Sequence, residues 1–466
     1  MGDSPGIQYT GEICFSGADK LDRILIAGTH SGCGKTTVTC ALLSALKARG
    51  LNVTAFKCGP DYIDPMFHRE AIGVSSRNLD PYFCGSDTLR ELFAAHAGEI
   101  SVIEGVMGYY DGIGSDGHCG TYDVAAALKS NVVLVVNVSG MLTSAGAVIK
   151  GFKEYKSDSR ICGIIFNGAS AAMYELLKPV AENAGVTPLG FLPKSRELEI
   201  GSRHLGLITA SEISDIKDKL NKLGKLAEQY IDINGILTLS RSEDFALTSE
   251  KSERSNAKKT VIAVADDAAF CFKYAENLEL LTELGCKIKY FSPLNDEQLP
   301  DNIDGMYLCG GYPELYLNAL SANKSMLQSV LSAIRNGLPT IAECGGFMYL
   351  HDTIDGAPMV GAIHAEAFKT ERLKRFGYSE ITAKSDNLLC KSGERIRVHE
   401  FHYYDSDDYG SGFTALKASG GDSLDCVHSG ETLFAGFPHL YFHANRTFAE
   451  TFVRKASEYR ANREAT

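Results

Sequence analysis

The sequence predicts an α/β protein built as two successive units, each organised around a mainly parallel sheet. Three observations carry this. Short apolar, β-branched runs alternate with helical stretches, the pattern of strands buried on both faces by covering helices. A polar stretch rich in Ser, Glu and Lys then interrupts the series. Beyond it a second strand–helix series begins. At about 150 residues per domain, the 466 residues leave room for about three domain-sized units.

Residues 1–22 show no periodicity and read as an N-terminal tail. Ile24–Ala27 is an apolar run ending in Gly28, the pattern of a buried strand. Gly34 to Gly50 reads as a helix, with Val38, Leu42, Leu43 and Leu46 on one face and Gly50 near its C-cap. Val53–Phe56, Val102–Val106, Val132–Val138 and Ile161–Phe166 read as further strands. The strand pattern fades after about Ala210, so the first domain is placed at 23–240. The run RSEDFALTSEKSERSNAKK, 241–259, has linker composition. The second domain, 260–455, opens on Val261–Ala265. A helix ending near Gly285 follows, then strands at Ile288–Phe291, Gly305–Leu308 and Pro339–Ala342. Residues 456–466 read as a C-terminal tail.

Composition excludes several classes. With 44% hydrophobic and 22% charged residues the chain is of ordinary globular type. Its formal net charge of −12 argues against nucleic acid as a partner, because neutralising phosphates needs a basic surface. The 13 cysteines include no Cys-x-x-Cys pair, which argues against a zinc cage or a disulfide framework and fits a reducing cytoplasm. No signal peptide opens the chain and no run reaches the ~18 apolar residues of a membrane span, so no membrane association is expected.

Gly28-Thr29-His30-Ser31-Gly32-Cys33-Gly34-Lys35-Thr36-Thr37 lies between a strand and a helix. Glycines let backbone N–H groups close around phosphates, and the helix N-terminus adds partial positive charge. Gly32, Cys33, Gly34, Lys35, Thr36 and Thr37 are therefore the candidate ATP-binding residues. Lys35 would reach the β- and γ-phosphates and Thr36 would ligate Mg²⁺. Two acidic segments follow successive strands, Phe56–Pro65 (FKCGPDYIDP) and Val102–Gly112 (VIEGVMGYYDG). Ligands in open α/β sheets bind beyond the carboxyl ends of the strands, where Asp61, Asp64, Glu104 and Asp111 could gather. Carboxylates beside phosphates need Mg²⁺ or a cationic neighbour. Thr36, Asp61 and Glu104 are the candidate metal ligands. Asp61, Tyr62, Asp64 and Asp111 are the candidates for contact with substrate or an acyl phosphate.

In the second half, Pro339–Met348 (PTIAECGGFM) is a strand entering a glycine turn with Cys344 expected to be exposed at the bend. Such an elbow lifts a nucleophile off the sheet, and the following helix N-terminus is expected to lower the thiol's pKa. Backbone N–H groups at Gly345 and at Gly311 of the Gly310-Gly311 turn are candidates for an oxyanion hole. The base would come from Pro438–His443 (PHLYFH), with His439 preferred and His443 the competitor.

The phosphate loop resembles that of dethiobiotin synthetase and its amidotransferase relatives. It differs from partition-type ATPases, which carry a second lysine where this chain has His30. From about Arg23 to Phe452 the chain resembles the cobyrinic acid a,c-diamide synthases, class I glutamine amidotransferases of cobalamin biosynthesis. The motifs stand here as AGTHSGCGKTTVT, FKCGPDYIDPMFH, SRNLDPYF, VIEGVMGYYDG, RHLGLITA, GGYPELY, AECGGFMYL and HEFHYYD. The resemblance implies a dethiobiotin-synthetase-like P-loop NTPase domain with a mainly parallel sheet, followed by a class I glutamine amidotransferase α/β domain. It implies ATP as co-substrate, Mg²⁺ as cofactor, and cobyrinate and L-glutamine as substrates. Ammonia would pass from a glutaminase with Cys344 as nucleophile and His439 as its histidine to carboxylates activated as acyl phosphates. A homodimer is possible. The family commonly reads His-Leu-His-Phe where this chain has His439-Leu440-Tyr441-Phe442, and no Glu stands two residues after His439. Lys57, Arg77 and Arg203 are the basic residues expected to meet a polycarboxylate substrate. Two alternatives stay open: a nickel-sirohydrochlorin a,c-diamide synthase and, in a different class, a non-catalytic nucleotide switch.

Overall fold

Strand β1 (Arg23–Gly28) is the middle strand of a seven-stranded sheet, and all six of its residues are buried. The computed structural model describes residues 21–194, 216–245 and 260–465. The remaining strands of this sheet are β2 (Val53–Cys58), β3 (Ser76–Leu79), β4 (Ile100–Glu104), β5 (Asn131–Asn137), β6 (Ile161–Asn167) and β7 (Thr187–Leu192). They run in the order β3-β2-β4-β1-β5-β6-β7, and every pairing is parallel. A sheet covered on both faces needs near-continuous apolar strands, and the run NVVLVVN of β5 is one. The helix Lys35–Ala48 follows β1 and buries Val38, Leu42, Leu43 and Leu46. The helix Ile216–Tyr230 packs closely on it, where a Cβ on Gly224 would come within 2.9 Å of Ser44 Cβ. Strand β4 ends at Glu104, two residues before the sequence-predicted end, which sets that carboxylate at the sheet's edge.

The second unit has two sheets. One contains β8 (Val261–Ala265), β9 (Lys287–Phe291), β10 (Gly305–Leu308), β11 (Thr340–Glu343), β18 (His428–Ser429) and β19 (Leu433–Gly436). Its order is β18-β19-β11-β10-β8-β9, parallel except for the edge strand β18. The other holds β12 (His351–Ile354), β13 (Ala357–Pro358), β14 (Ile363–Ala383), β15 (Arg395–Ser406), β16 (Phe413–Lys417), β17 (Leu424–Cys426) and β20 (His439–Leu440). This second sheet is mostly antiparallel. It is absent from the sequence-based expectation. Its long strand β14 alternates buried and exposed residues at its ends and is largely exposed in the middle, so it offers no continuous apolar run.

Three expected boundaries are corrected. Residues 80–85 and 112–119 group with the second unit rather than with 23–240. The reason is visible in the first segment. Tyr378 Oη donates to Asp80 Oδ2 at 2.8 Å, Arg397 Nη1 donates to the Tyr82 carbonyl at 2.8 Å, and the Phe83 ring stacks on Tyr441 at 5.1 Å. The expected tail 456–466 is instead helical through Ala465, in a helix Arg446–Ala465. Phe448, Ala449, Phe452 and Ala456 bury one face of it, and Arg454–Glu458 and Arg460–Glu464 pairs support its outer surface at i,i+4 spacing. Residues 241–245 of the expected linker belong to the first unit, where Ser242 Oγ donates to the Arg23 carbonyl and the Arg23 guanidinium lies over Phe245. The rest of that linker, most of the N-terminal tail, the RHLGLITA motif and Arg203 lie outside the described residues.

Candidate functional site

Each unit carries a cluster at the carboxyl edge of its parallel sheet. In the first, β1 leads into the phosphate loop. Gly34 has φ 103°, and the Asn167 side chain occupies the space where a Cβ would stand, so only glycine fits. Asn167 Nδ2 donates to the Cys33 carbonyl at 2.9 Å and fixes the loop's shape. Gly32 also takes a positive φ, 79°. Lys35 opens the helix and its ammonium donates to the carbonyls of His30 and Met107. Burial pushes its pKa down, with Cys33 opposing and Lys57 adding to the fall. Thr36 Oγ1 donates to Glu104 Oε1 at 2.6 Å, and Thr37 sits half-buried in the first helical turn.

Lys57 and Glu104 are register partners on neighbouring strands β2 and β4, so sheet geometry sets them side by side. Lys57 Nζ lies 2.9 Å from Glu104 Oε1, forms an ion pair with Asp64, and lies 3.9 Å from Asp61 Oδ2. His68, which sequence analysis missed, places Nε2 3.3 Å from Glu104 Oε2 and Nδ1 3.0 Å from Ser76 Oγ. Burial alone would lower the Lys57 pKa, but Asp64, Glu104 and Asp61 outweigh it and hold the ammonium charged. Burial alone would likewise raise Glu104, yet Lys57, His68 and Thr36 hold it well below the usual carboxylate range. Asp64 is pushed up by burial and by the neighbouring Asp61 and Glu104 carboxylates. One lysine thus serves three carboxylates. Lys57, expected to meet a polycarboxylate substrate, is paired here with the protein's own carboxylates.

Asp61 turns inward on its own loop, its Oδ1 accepting from the backbone of Ile63 (2.8 Å) and Asp64 (3.2 Å). Asn78 Nδ2 holds the same loop through the carbonyls of Gly59 and Asp61. Tyr62 is half-buried and its carbonyl accepts from Met66 N. Asp111 is exposed, and its carboxylate accepts from Gly108 N at 2.8 Å, closing the turn beside Thr29 rather than meeting Lys57. Arg77 is buried with Nη1 on the Ser76 carbonyl. Mg²⁺ usually takes one or two protein oxygens and fills its octahedron with phosphate and water. Thr36 Oγ1 and Glu104 Oε1, adjacent hard oxygens on the phosphate loop, fit that requirement. Among the described residues no group of three or more His, Cys, Asp and Glu could hold a metal ion.

In the second unit, β11 runs into Cys344 at φ 47°, ψ −104°, a strained conformation for a residue with a side chain. Cys344 N donates to the Gly436 carbonyl at 2.8 Å, which ties the bend to β19, and the helix Gly345–Tyr349 begins directly after it. The elbow is present, but Cys344 is only 6% exposed rather than prominent. Burial pushes its thiol up, with Glu314, Glu400 and Glu343 adding to the rise and only the Gly345 N–H opposing. The helix N-terminus expected to lower the thiol is thus set against burial and three neighbouring carboxyl groups. Gly311 N lies 2.9 Å from where a Cβ of Gly345 would stand, so the two candidate oxyanion donors belong to segments in close approach.

His439 is buried on β20, with Nδ1 3.6 Å from Glu343 Oε2. A Cβ on Gly310 would run into its ring at Cε1. His399 is its register partner across β15, and burial and the neighbouring His439 push His399 down to about 3. His443 lies further on, in the turn Phe442–Ala444, with the Tyr441 ring 5.8 Å away. Tyr441 is a packing residue, stacked on Phe83 and edge-on to Tyr274 at 5.0 Å. Glu343, Glu400 and His402 were not singled out from sequence. Glu400 Oε2 lies 3.2 Å from His402 Nε2, and the His402 ring stacks on Phe437, two residues before His439. An acid inside the apolar run of β11 was the available signal for Glu343.

A phosphate loop on one parallel sheet and a cysteine elbow on another define a two-domain glutamine amidotransferase with a nucleotide-binding half. Residues 24–208 match the CobQ/CobB/MinD/ParA nucleotide binding domain, and residues 261–447 match the CobB/CobQ-like glutamine amidotransferase domain. The chain is 39% identical over 444 residues to the cobyrinate a,c-diamide synthase of Clostridium acetobutylicum, covering 93% of this chain and 100% of that one. It is 38% identical over 459 residues to the Thermoplasma volcanium protein of the same name, covering 96% and 99%. The chain belongs to the cobyrinate a,c-diamide synthase family, enzymes that use glutamine as amido donor. No helix among the described residues is long and apolar enough to cross a membrane.

Proposed function

We propose that the protein converts cobyrinate to cobyrinate a,c-diamide, using ATP to activate the two acetate carboxylates and glutamine to supply ammonia. The observation that carries this reading is the strained Cys344 elbow in a chain that also holds a phosphate loop. A nucleotide switch has no use for such an elbow. The names of the relatives favour cobyrinate over a nickel tetrapyrrole.

In the first unit a substrate carboxylate attacks the γ-phosphorus of ATP and ADP leaves. The resulting acyl phosphate is opened by ammonia, and inorganic phosphate departs. Lys35 would offset charge on the transferred group. Thr36 and Glu104 would hold Mg²⁺, which supplies further charge neutralisation when bound. Asp61, Tyr62 and Asp64 would contact the substrate, while Asp111 shapes the loop beside Thr29. In the second unit Cys344 Sγ attacks the glutamine amide carbon. Because burial keeps the thiol protonated, attack needs a base, and His439 takes that proton and passes it to the leaving ammonia. The N–H groups of Gly311 and Gly345 receive the oxyanion. Water then cleaves the thioester to glutamate.

The test is incubation of purified protein with ATP, glutamine and either cobyrinate or nickel-sirohydrochlorin, followed by chromatography with mass detection. Two new carboxamides on cobyrinate are expected. Preferential amidation of the nickel macrocycle overturns the substrate assignment, and nucleotide binding with no glutamate release overturns the enzymatic reading.

A further inference from the structure

We infer that Glu343 is a positioning residue for His439, supplying from strand β11 the carboxylate that fixes the imidazole for the glutaminase step. The inference rests on the glutaminase reading above and goes beyond it by assigning a third side chain to the site.

The geometry comes from the sheet. Glu343 is the last residue of β11 and the neighbour of Cys344, and it pairs in register with Gly436 of β19. Three residues beyond Gly436 the chain reaches His439. The Glu343 side chain is 1% exposed and that of His439 is 3% exposed. One carboxylate oxygen, Oε1, accepts from Leu440 N at 3.1 Å, which fixes the carboxylate against the backbone of the histidine's own strand. The other, Oε2, lies 3.6 Å from His439 Nδ1. On another side of the ring, Gly310 leaves room for Cε1 only because it has no Cβ.

A carboxylate accepts hydrogen bonds and does not donate them. Facing Nδ1, it favours the tautomer with the proton on that nitrogen, so that Nε2 carries the lone pair that can take the thiol proton. It also stabilises the imidazolium once that proton has arrived. A buried acid next to the nucleophile would otherwise be a liability, since it adds to the rise of the Cys344 thiol. Pairing with His439 explains its presence there. Tyr441, two residues after His439, cannot take the role because its ring is committed to Phe83 and Tyr274.

The experiment compares wild type, Glu343→Gln, Glu343→Asp and Glu343→Ala in the full chain. Steady-state glutamate release, ammonium-driven amidation and the melting temperature are measured for each. Gln keeps an acceptor for Leu440 N but carries no charge and presents an amide N–H to His439. We expect kcat for glutamate release to fall on the order of tenfold to a hundredfold in Glu343→Gln, with KM for glutamine little changed. Glu343→Asp keeps the charge and should recover part of kcat. Ammonium-driven amidation, which bypasses this site, should persist in both. Wild-type kcat in Glu343→Gln overturns the inference, because a purely structural role is met by Gln. Equal loss of glutamine- and ammonium-driven amidation also overturns it, since the residue would then act on the whole fold. If Glu343→Gln does not fold, kcat of Glu343→Asp no higher than that of Glu343→Ala overturns it. Wild type without glutaminase activity fails the underlying reading instead, and is recognised before any variant is assayed.

Discussion

Replacing Asp80 by Asn should stabilise the unit that carries Cys344, and more so as the pH rises. Asp80 is fully buried, with Oδ1 accepting from Tyr82 N at 2.8 Å and Oδ2 from Tyr378 Oη at 2.8 Å. Burial pushes its carboxyl from the ordinary 3.8 up to about 6, against the pull of those hydrogen bonds. The folded protein therefore holds a proton that the unfolded chain has already released. Stability contributed by this group falls as the pH rises from about 4 to about 6 and stays lost above that. At 1.36 kcal/mol per pH unit, the gap amounts to about 3 kcal/mol, an upper bound on what the neutral Asn recovers. For a unit of this size that is on the order of 2–4 °C in Tm per kcal/mol. The chain has no tryptophan, so melting is followed by circular dichroism or tyrosine fluorescence. The Tm difference between Asp80→Asn and wild type should grow between about pH 4.5 and about pH 7.5. A difference that stays constant across that range, or that shrinks, refutes the reasoning.

Two further outcomes follow from the clusters. Lys57→Met removes a cation that pairs with Asp61, Asp64 and Glu104, so the first unit should lose about 3–5 kcal/mol, seen as an earlier denaturant midpoint that recovers towards acid pH; an unchanged midpoint contradicts the charge accounting. Gly310→Ala drives a methyl into His439 Cε1 and should cut kcat for glutamate release on the order of tenfold or more while ammonium-driven amidation persists; undiminished glutamate release would show that the ring has room to move.

The parts legible in the sequence are those in which chemistry and chain run together. Gly28–Thr37 is contiguous, and its strand–loop–helix context is local, so both the motif and its structure can be read directly. The same holds for the β11–Cys344–helix elbow. What stayed hidden depends on sheet register. Lys57 meets Glu104 because β2 lies beside β4, and nothing in either segment alone says that the lysine is consumed there. His68 reaches Glu104 from a turn of helix, and Glu343 meets His439 from across β19. Asp111 stands in an acidic motif, yet its partner is the backbone three residues earlier. Burial decides the remaining case. A helix N-terminus argues for a lowered thiol at Cys344, but only the packed structure reveals three carboxyl groups nearby and a side chain shut away from solvent. The second sheet of the amidotransferase unit is hidden in the sequence because β14, exposed over much of its length, has no continuous apolar run.

The central claim is that one chain divides the reaction between a cysteine site that makes ammonia and a phosphate-loop site that uses it. Cys344→Ser tests this most directly, with cobyrinate amidation measured once with glutamine and once with ammonium as nitrogen source. The account predicts that glutamine-driven amidation disappears while ammonium-driven amidation continues near the wild-type rate. Loss of both activities together, or retention of both, contradicts it.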